Sequence, residues 1–354
     1  MATGVHRIGP SQFTYFESCR LRFVLSKDDY SSYRTSKASF NRYTFLGILI
    51  HKVIEKYYKC EFQIDQFDLF WDSTLNSMID NCIFPVHVQD KKSFVQVWSP
   101  FYSVKKEGTR RLLKDFNLIG DDVQPEKSVD AGYVKGRIDL FERNGDEIRI
   151  VDFKTGLIFK YKGLNFKEPK KEYIDQLTIY GAAFASQENV LTEKITIVLK
   201  GLSQSEFYSQ RLTKKNCEDV ITRLEVAIKT TAESIKGGNL DELANPSIET
   251  CRYCEFLDKC KSVQDSVSKD PVQWKNYVIL NSIDSEFNYE DIEITVLING
   301  HKISISGIPI ESFHELKNKI DQGKTLFISG LYSGELPQVR RWTQYVNYFE
   351  IDNR

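Results

Sequence analysis

Gly136-Arg137-Ile138-Asp139-Leu140 and Asp152-Phe153-Lys154-Thr155-Gly156 flank a short segment that carries Asn144-Gly145 near its middle. Residues 131–141 and 147–153 read as two strands, and Asn-Gly between such runs is a strong hairpin signal. With Asn144-Gly145 as a two-residue turn, residue 143 faces 146 and Asp139 faces Ile150. Asp152 is then the diagonal neighbour of Asp139. Side chains alternate along a strand, so Lys154 joins the same face. Diagonal Cα atoms lie roughly 7–8 Å apart, a gap that two carboxylates close around one cation. A turn one residue longer would reverse the parity. Two carboxylates and an ammonium on one face suit phosphodiester hydrolysis. A hard divalent cation takes oxygen ligands, polarises a phosphoryl oxygen and lowers the pKa of a bound water. Lys154 would position that water or stabilise developing charge. The plainer alternative is a set of exposed charges guarding a strand edge.

Asp139 followed by Asp152-x-Lys154 resembles the D…(D/E)xK signature of the PD-(D/E)XK nucleases, and the wording GRIDL and VDFKTG looks like their RecB-like branch. Ile138 stands where the signature has proline, a variation usual in that branch. The resemblance implies an α/β fold with a restriction-endonuclease-like core, a central mixed sheet flanked by helices. It implies that Asp139 and Asp152 bind Mg²⁺ or Mn²⁺ and that Lys154 assists the attacking water.

Residues 43–60 read as a helix, and Gly47, His51 and Glu55 fall on one face of it at steps of four. His51 resembles the histidine that supplies a further metal ligand in the branch; its alternative is a buried structural histidine. Glu55 is read as a supporting partner. Gln176-x-x-x-Tyr180 lies on a helix expected over 172–186 and resembles the QxxxY motif, which lies close to the metal and contacts DNA. A half-buried tyrosine beside a polar neighbour is its plainer reading. Glu126, in Gln124-Pro125-Glu126, is expected to precede the first strand, where the branch often has a glutamate near the site. Lys160, Lys162, Lys167, Lys170 and Lys171 read as a solvated loop that could also meet backbone phosphates.

Seven cysteines, an odd number, argue against a disulfide framework. Cys251-x-x-Cys254-x5-Cys260 places three thiolates close together, as a metal site requires. Cys19 is the candidate for a fourth ligand. One cysteine before the nuclease core and three after it resembles the layout of RecB-like nucleases with a 4Fe–4S cluster, as in CRISPR-adaptation and AddAB nuclease domains. Zn²⁺ on the same four cysteines is the alternative. Cys60, Cys82 and Cys217 read as buried apolar residues.

Further helices are expected over 66–82, 92–117 and 214–236, and a strand over 194–200. The expected domains are a nuclease domain at 1–262, a linker at 263–274 (the polar stretch 261–273 contains Pro271), and a small β-rich domain at 275–354. Five strands there suggest an OB-like barrel, with Phe327, Tyr332, Arg340, Arg341, Trp342 and Tyr345 as candidates for single-stranded DNA. Formal net charge is -1, so any nucleic-acid contact needs local basic patches. No signal-type segment or spanning apolar run occurs, which points to a cytoplasmic protein with no membrane partner. No P-loop motif is present, so a helicase or recombination partner would be a separate chain. The expected activity is a metal-dependent deoxyribonuclease acting on single strands or duplex ends. The alternative is a DNA-binding scaffold subunit of a larger complex.

Overall fold

The structure, a computed structural model, describes residues 7–27, 42–80, 100–120, 122–162, 166–202, 206–251, 254, 256–334, 336, 338–343 and 346–351. Its contacts divide the chain into two compact units. One is Val5–Tyr15 with Ser39–Ala232; the other is Met1–Gly4, Phe16–Ala38 and Glu233–Arg354.

The first unit is built on a five-stranded sheet. Its strands are β1 (Asp122–Ala131), β2 (Val134–Asn144) and β3 (Glu147–Lys154), then β6 (Ile195–Gly201) and β7 (Phe207–Arg211), in the order β1-β2-β3-β6-β7. Between β3 and β6 the chain forms a two-stranded hairpin of β4 (Phe159–Lys162) and β5 (Phe166–Pro169). The lysine-rich stretch expected as a loop is therefore partly strand. β3 and β6 are parallel and all other neighbours antiparallel, so the sheet is mixed as expected.

Helices α1 (Arg42–Tyr58), α2 (Phe67–Asp80) and α3 (Phe101–Asp115) cover one face. Alternation along β2 and β3 sends Leu140, Val151 and Phe153 into a core with Leu49, Ile50, Val53, Trp71 and Leu112. Each fully buried Leu, Ile or Phe contributes about 1.5–3 kcal/mol. The other parity faces α4 (Lys171–Glu188), where Phe141 lies 4.9 Å from Phe184 between ring centroids. α4 stops at Asn189, whose φ of 52° puts it in the left-handed region that asparagine tolerates. A long amphipathic helix, α5 (Lys214–Lys236), buries Val220, Leu224 and Ile228.

In the second unit, α6 (Lys261–Lys269) occupies most of the stretch expected as a linker. Val263 and Val267, at i and i+4, are buried and give an otherwise polar run one apolar edge. The β-rich region contains β8 (Tyr277–Leu280), β9 (Ser285–Asn288), β10 (Glu293–Ile298), β11 (His301–Ser306), α7 (Ile310–Asp321), β12 (Thr325–Ser329), β13 (Tyr332–Ser333), β14 (Val339–Arg341) and β15 (Asn347–Ile351). These strands form two sheets, β13-β14-β11-β10-β9 and β15-β12-β8, rather than the single five-stranded barrel expected. Val278, Ile294, Val296, Ile303, Ile305, Phe313, Leu316 and Ile328 fill the core between them and α7.

Candidate active site

The β2–β3 hairpin pairs Asn144 with Glu147, Phe141 with Ile150 and Leu140 with Val151. Continued by one residue, this register sets Asp139 directly opposite Asp152, not opposite Ile150. The difference comes from the turn. Its central residues are Gly145 and Asp146, with Gly145 at φ 57°, as in the hairpin turns that take glycine at the first central position. A shift of two residues preserves side-chain parity, so both carboxylates still share a face.

Asp139 Oδ2 accepts the Phe153 backbone N–H at 2.8 Å and lies 3.4 Å from His51 Nδ1. Asp152 is buried at 4 % exposure. Its Oδ1 accepts hydrogen bonds from Gln176 Nε2 at 2.9 Å and Lys154 Nζ at 3.1 Å. Lys154 Nζ also donates to Gln176 Oε1 at 2.9 Å, which closes a triangle of Asp152, Lys154 and Gln176. Asp152 Oδ2 lies 2.9 Å from the same ammonium but receives no well-directed hydrogen bond in its buried position. Burial pushes the Asp139 carboxyl up to about 6; the charge of Asp152 adds to this, and His51, the Phe153 N–H and Lys154 oppose it. Burial disfavours the Lys154 ammonium, but Asp152 and Asp139 outweigh it, and the pKa is held above the ordinary lysine value.

Tyr180 stands one turn beyond Gln176 and is buried. Its hydroxyl meets the Arg137 backbone N–H, and burial, reinforced by Asp139 and Asp152, keeps it neutral by raising its pKa. A Cβ on Gly136 would fall 2.9 Å from Tyr180 Oη and 3.0 Å from Pro10 Cδ. Close approach to the tyrosine therefore requires glycine here. Glu126 lies within β1, not before the first strand, because a strand at 122–131 was not anticipated. Its φ is 56°, its register position faces Asp139, and its Oε2 lies 3.2 Å from Arg137 Nε. Glu55 pairs with Lys59 at 2.5 Å.

Two residues near the site escaped the sequence reading. Lys154 Nζ sits 4.7 Å from the Tyr173 ring centroid, and Lys105 donates to the Thr155 carbonyl. Tyr173 is three positions before Gln176 on the same helix face, so the helical period offered a signal. Lys105 offered none, because only the fold brings α3 to the end of β3.

Among the described residues, no group of three or more His, Cys, Asp or Glu side chains converges closely enough to hold an ion. The donors nevertheless fit a hard cation of the Mg²⁺ kind, which binds through one or two carboxylates and keeps several waters. Asp139 and Asp152 supply two, and Asp152 Oδ2 is a buried oxygen still lacking a directed donor.

Cys19, Cys251, Cys254 and Cys260 line one pocket with Arg22, Pro246 and Phe256, and none of the four is in a disulfide. Burial pushes Cys254 up to about 12 and Cys260 up to about 11, and it raises Cys251 as well. Cys217 is buried as expected; Cys60 is exposed at the end of α1, with φ 58°, and Cys82 lies outside the described residues. Cys60 breaks the expectation because the chain turns there, out of the core. Of the C-terminal candidates, Phe327 and Arg340 are fully buried, and Trp342 packs against the core. Arg340 donates to the carbonyls of Tyr277 and Pro271. Tyr332 and Arg341 are exposed cross-strand neighbours, and Tyr345 lies outside the described residues.

A mixed α/β sheet with two acidic residues and a lysine gathered at the end of its central hairpin is the layout of a nuclease core. The profile of the PD-(D/E)XK nuclease superfamily matches residues 7–261, and the chain belongs to that superfamily. No curated protein matches it. Among solved structures it is similar to one from Eubacterium rectale described, provisionally, as an exonuclease. That pair shares 12% identity at a TM-score of 0.37 over 66% of this chain and 82% of the other. It is also similar to the structure of SSO0001, at 17% identity and a TM-score of 0.24, over 71% and 97% of the two chains. Among the described residues no helix is long and apolar enough to cross a membrane.

Proposed function

We propose that this nuclease is a deoxyribonuclease of the RecB-like branch that hydrolyses phosphodiester bonds in single-stranded DNA or at duplex ends, with Mg²⁺ or Mn²⁺ held by Asp139, Asp152 and His51. The observation that carries the reading is the opposition of Asp139 and Asp152 across β2–β3, with the Lys154 ammonium on Asp152. When bound, the cation supplies a polarised phosphoryl oxygen and an acidified water. Lys154 would place a positive charge beside the reacting phosphate. Gln176 fixes both Lys154 and Asp152 by hydrogen bonds in opposite senses. The Phe153 N–H and His51 orient Asp139. Tyr180, neutral and packed on Gly136, and Glu126 are assigned supporting roles at the strand end.

The four cysteines are proposed to hold a 4Fe–4S cluster. Their shared pocket supports a common ligand. A single Zn²⁺, with Zn–S bonds near about 2.3 Å, needs its sulfurs drawn tightly together. Zn²⁺ on the same four thiols is the alternative reading. Residues 1–262 are proposed as the nuclease domain and 275–354 as an accessory domain. Exposed Tyr332 and Arg341 are the remaining residues there suited to a single strand. A helicase or recombination protein would act as a separate partner.

The test is digestion of end-labelled DNA with Mg²⁺ or Mn²⁺. Asp152→Ala should abolish cutting while the protein stays folded. Retained cutting in that variant, or no cutting by the native protein under any divalent ion, would overturn the assignment.

A further inference from the structure

We propose that Tyr173 is a positioning residue for the reaction: its ring face holds the Lys154 ammonium in place over the paired carboxylates. The inference rests on the nuclease reading of the same site. Lys154 is long and flexible, and its ammonium has three donors. Asp152 and Gln176 each contact it, at 2.9 Å for the shortest contacts. The Tyr173 ring supplies a further contact, 4.7 Å from Nζ to its centroid. A second ammonium, Lys170, lies 5.4 Å from the same ring. The Tyr173 N–H is bonded to the Lys170 carbonyl at 3.0 Å, in the first turn of α4. Tyr173, Gln176 and Tyr180 thus project from one face of one rigid helix, so the ring is aligned with the polar contacts it complements.

The face of the ring, not its hydroxyl, does this work, because the attraction is between a cation and the ring quadrupole. An ammonium desolvated in this way gains about 0.5–2 kcal/mol, which is about a two- to thirty-fold change in rate. Removal of the ring frees Lys154 to sample other rotamers, and fewer encounters find the ammonium beside the attacking water. Substrate and metal would still bind, since neither touches Tyr173 in this scheme.

The experiment compares Tyr173→Phe, Tyr173→Leu and Asp152→Ala with the native protein. Cleavage of 5′-labelled single-stranded DNA gives kcat and KM, Mn²⁺ titration gives the metal Kd, and melting reports folding. The expected result is a kcat for Tyr173→Leu about two- to thirty-fold down, with KM and metal Kd close to native, and near-native kcat for Tyr173→Phe. Native kcat in Tyr173→Leu would overturn the proposal. So would a loss in Tyr173→Phe equal to that in Tyr173→Leu, or weakened Mn²⁺ binding that accounts for the whole effect. If Tyr173→Leu does not fold, Tyr173→Gln replaces it as the ringless variant, with the same expectations. Unimpaired cutting by Asp152→Ala would instead bring down the nuclease reading itself, whatever the tyrosine variants do.

Discussion

Asp152 sits at 4 % exposure with Lys154 as its counter-charge, so the two are bound together energetically before any metal arrives. Truncating one member of a buried pair leaves the other uncompensated and costs about 3–5 kcal/mol. Lys154 is itself 18 % exposed along its side chain, which places the expectation near the lower end. Lys154→Met should lower the unfolding free energy of the metal-free protein by about 3 kcal/mol. Saturating Mn²⁺ should restore part of it by replacing the missing charge beside Asp152. Urea melts with and without the ion measure both, and equal melts for native and variant protein would refute the coupling. Gly136 gives a second expectation. A methyl group there meets Tyr180 Oη at 2.9 Å, so Gly136→Ala should cost about 1–3 kcal/mol as an overpacking change. A melting temperature unchanged from the native value would show that the tyrosine can withdraw. Asp139, Asp152 and Lys154 were legible because chemistry confines such side chains to few roles and the period of a strand puts them on one face. Tyr173 offered only its helical spacing from Gln176, which by itself did not tie it to Lys154, and Lys105 offered no signal, because a carbonyl bond between distant elements leaves no local pattern.

Hairpin β2–β3 carries the candidate site, and its register depends on two turn residues. Gly145 stands at φ 57°, a conformation that costs a residue with a Cβ roughly 1–2 kcal/mol. Gly145→Val is therefore expected to destabilise the fold by about that amount, and to lower cleavage further if the turn migrates and moves Asp139 relative to Asp152. Wild-type stability and activity in that variant would mean that the ladder, not the turn, holds the register. The reading of the segment as a hairpin survived a turn misplaced by one residue because the pairing moved by two and parity was kept. β1 was missed for a physical reason: it is an edge strand, and an edge tolerates Pro125 and a run of charged residues that a central strand excludes. Helix α6 was missed because two valines in a polar run are too few to raise a periodic signal, although they suffice to bury one edge.

Cys19 and Cys251 are separated by more than two hundred residues yet line one pocket, so a cluster bound there would close a very long loop. Ligand binding confined to the folded state adds to its stability. Anaerobically purified protein is expected to carry iron and a visible charge-transfer band. Cys251→Ser should lose both and melt about 10 °C lower, the equivalent of about 3 kcal/mol for a domain of this size. A colourless native protein binding one zinc would point to the alternative metal. The resemblance of GRIDL and VDFKTG to known motifs carried the nuclease class and the mixed α/β core, while spacing put Asp139, Asp152 and Lys154 on one face and Cys251, Cys254 and Cys260 close together, because local period and side-chain chemistry are properties of short stretches. Folding alone settled the rest. It placed Asp139 opposite Asp152, turned Glu126 into a strand residue paired with Arg137, set the Tyr173 ring over Lys154, brought Lys105 to Thr155, exposed Cys60, and split the C-terminal strands between two sheets. Each of these is a contact between segments distant in the chain, or a choice among nearly equal local conformations. Burial and packing of the assembled core decide such matters, and no window of sequence contains that information.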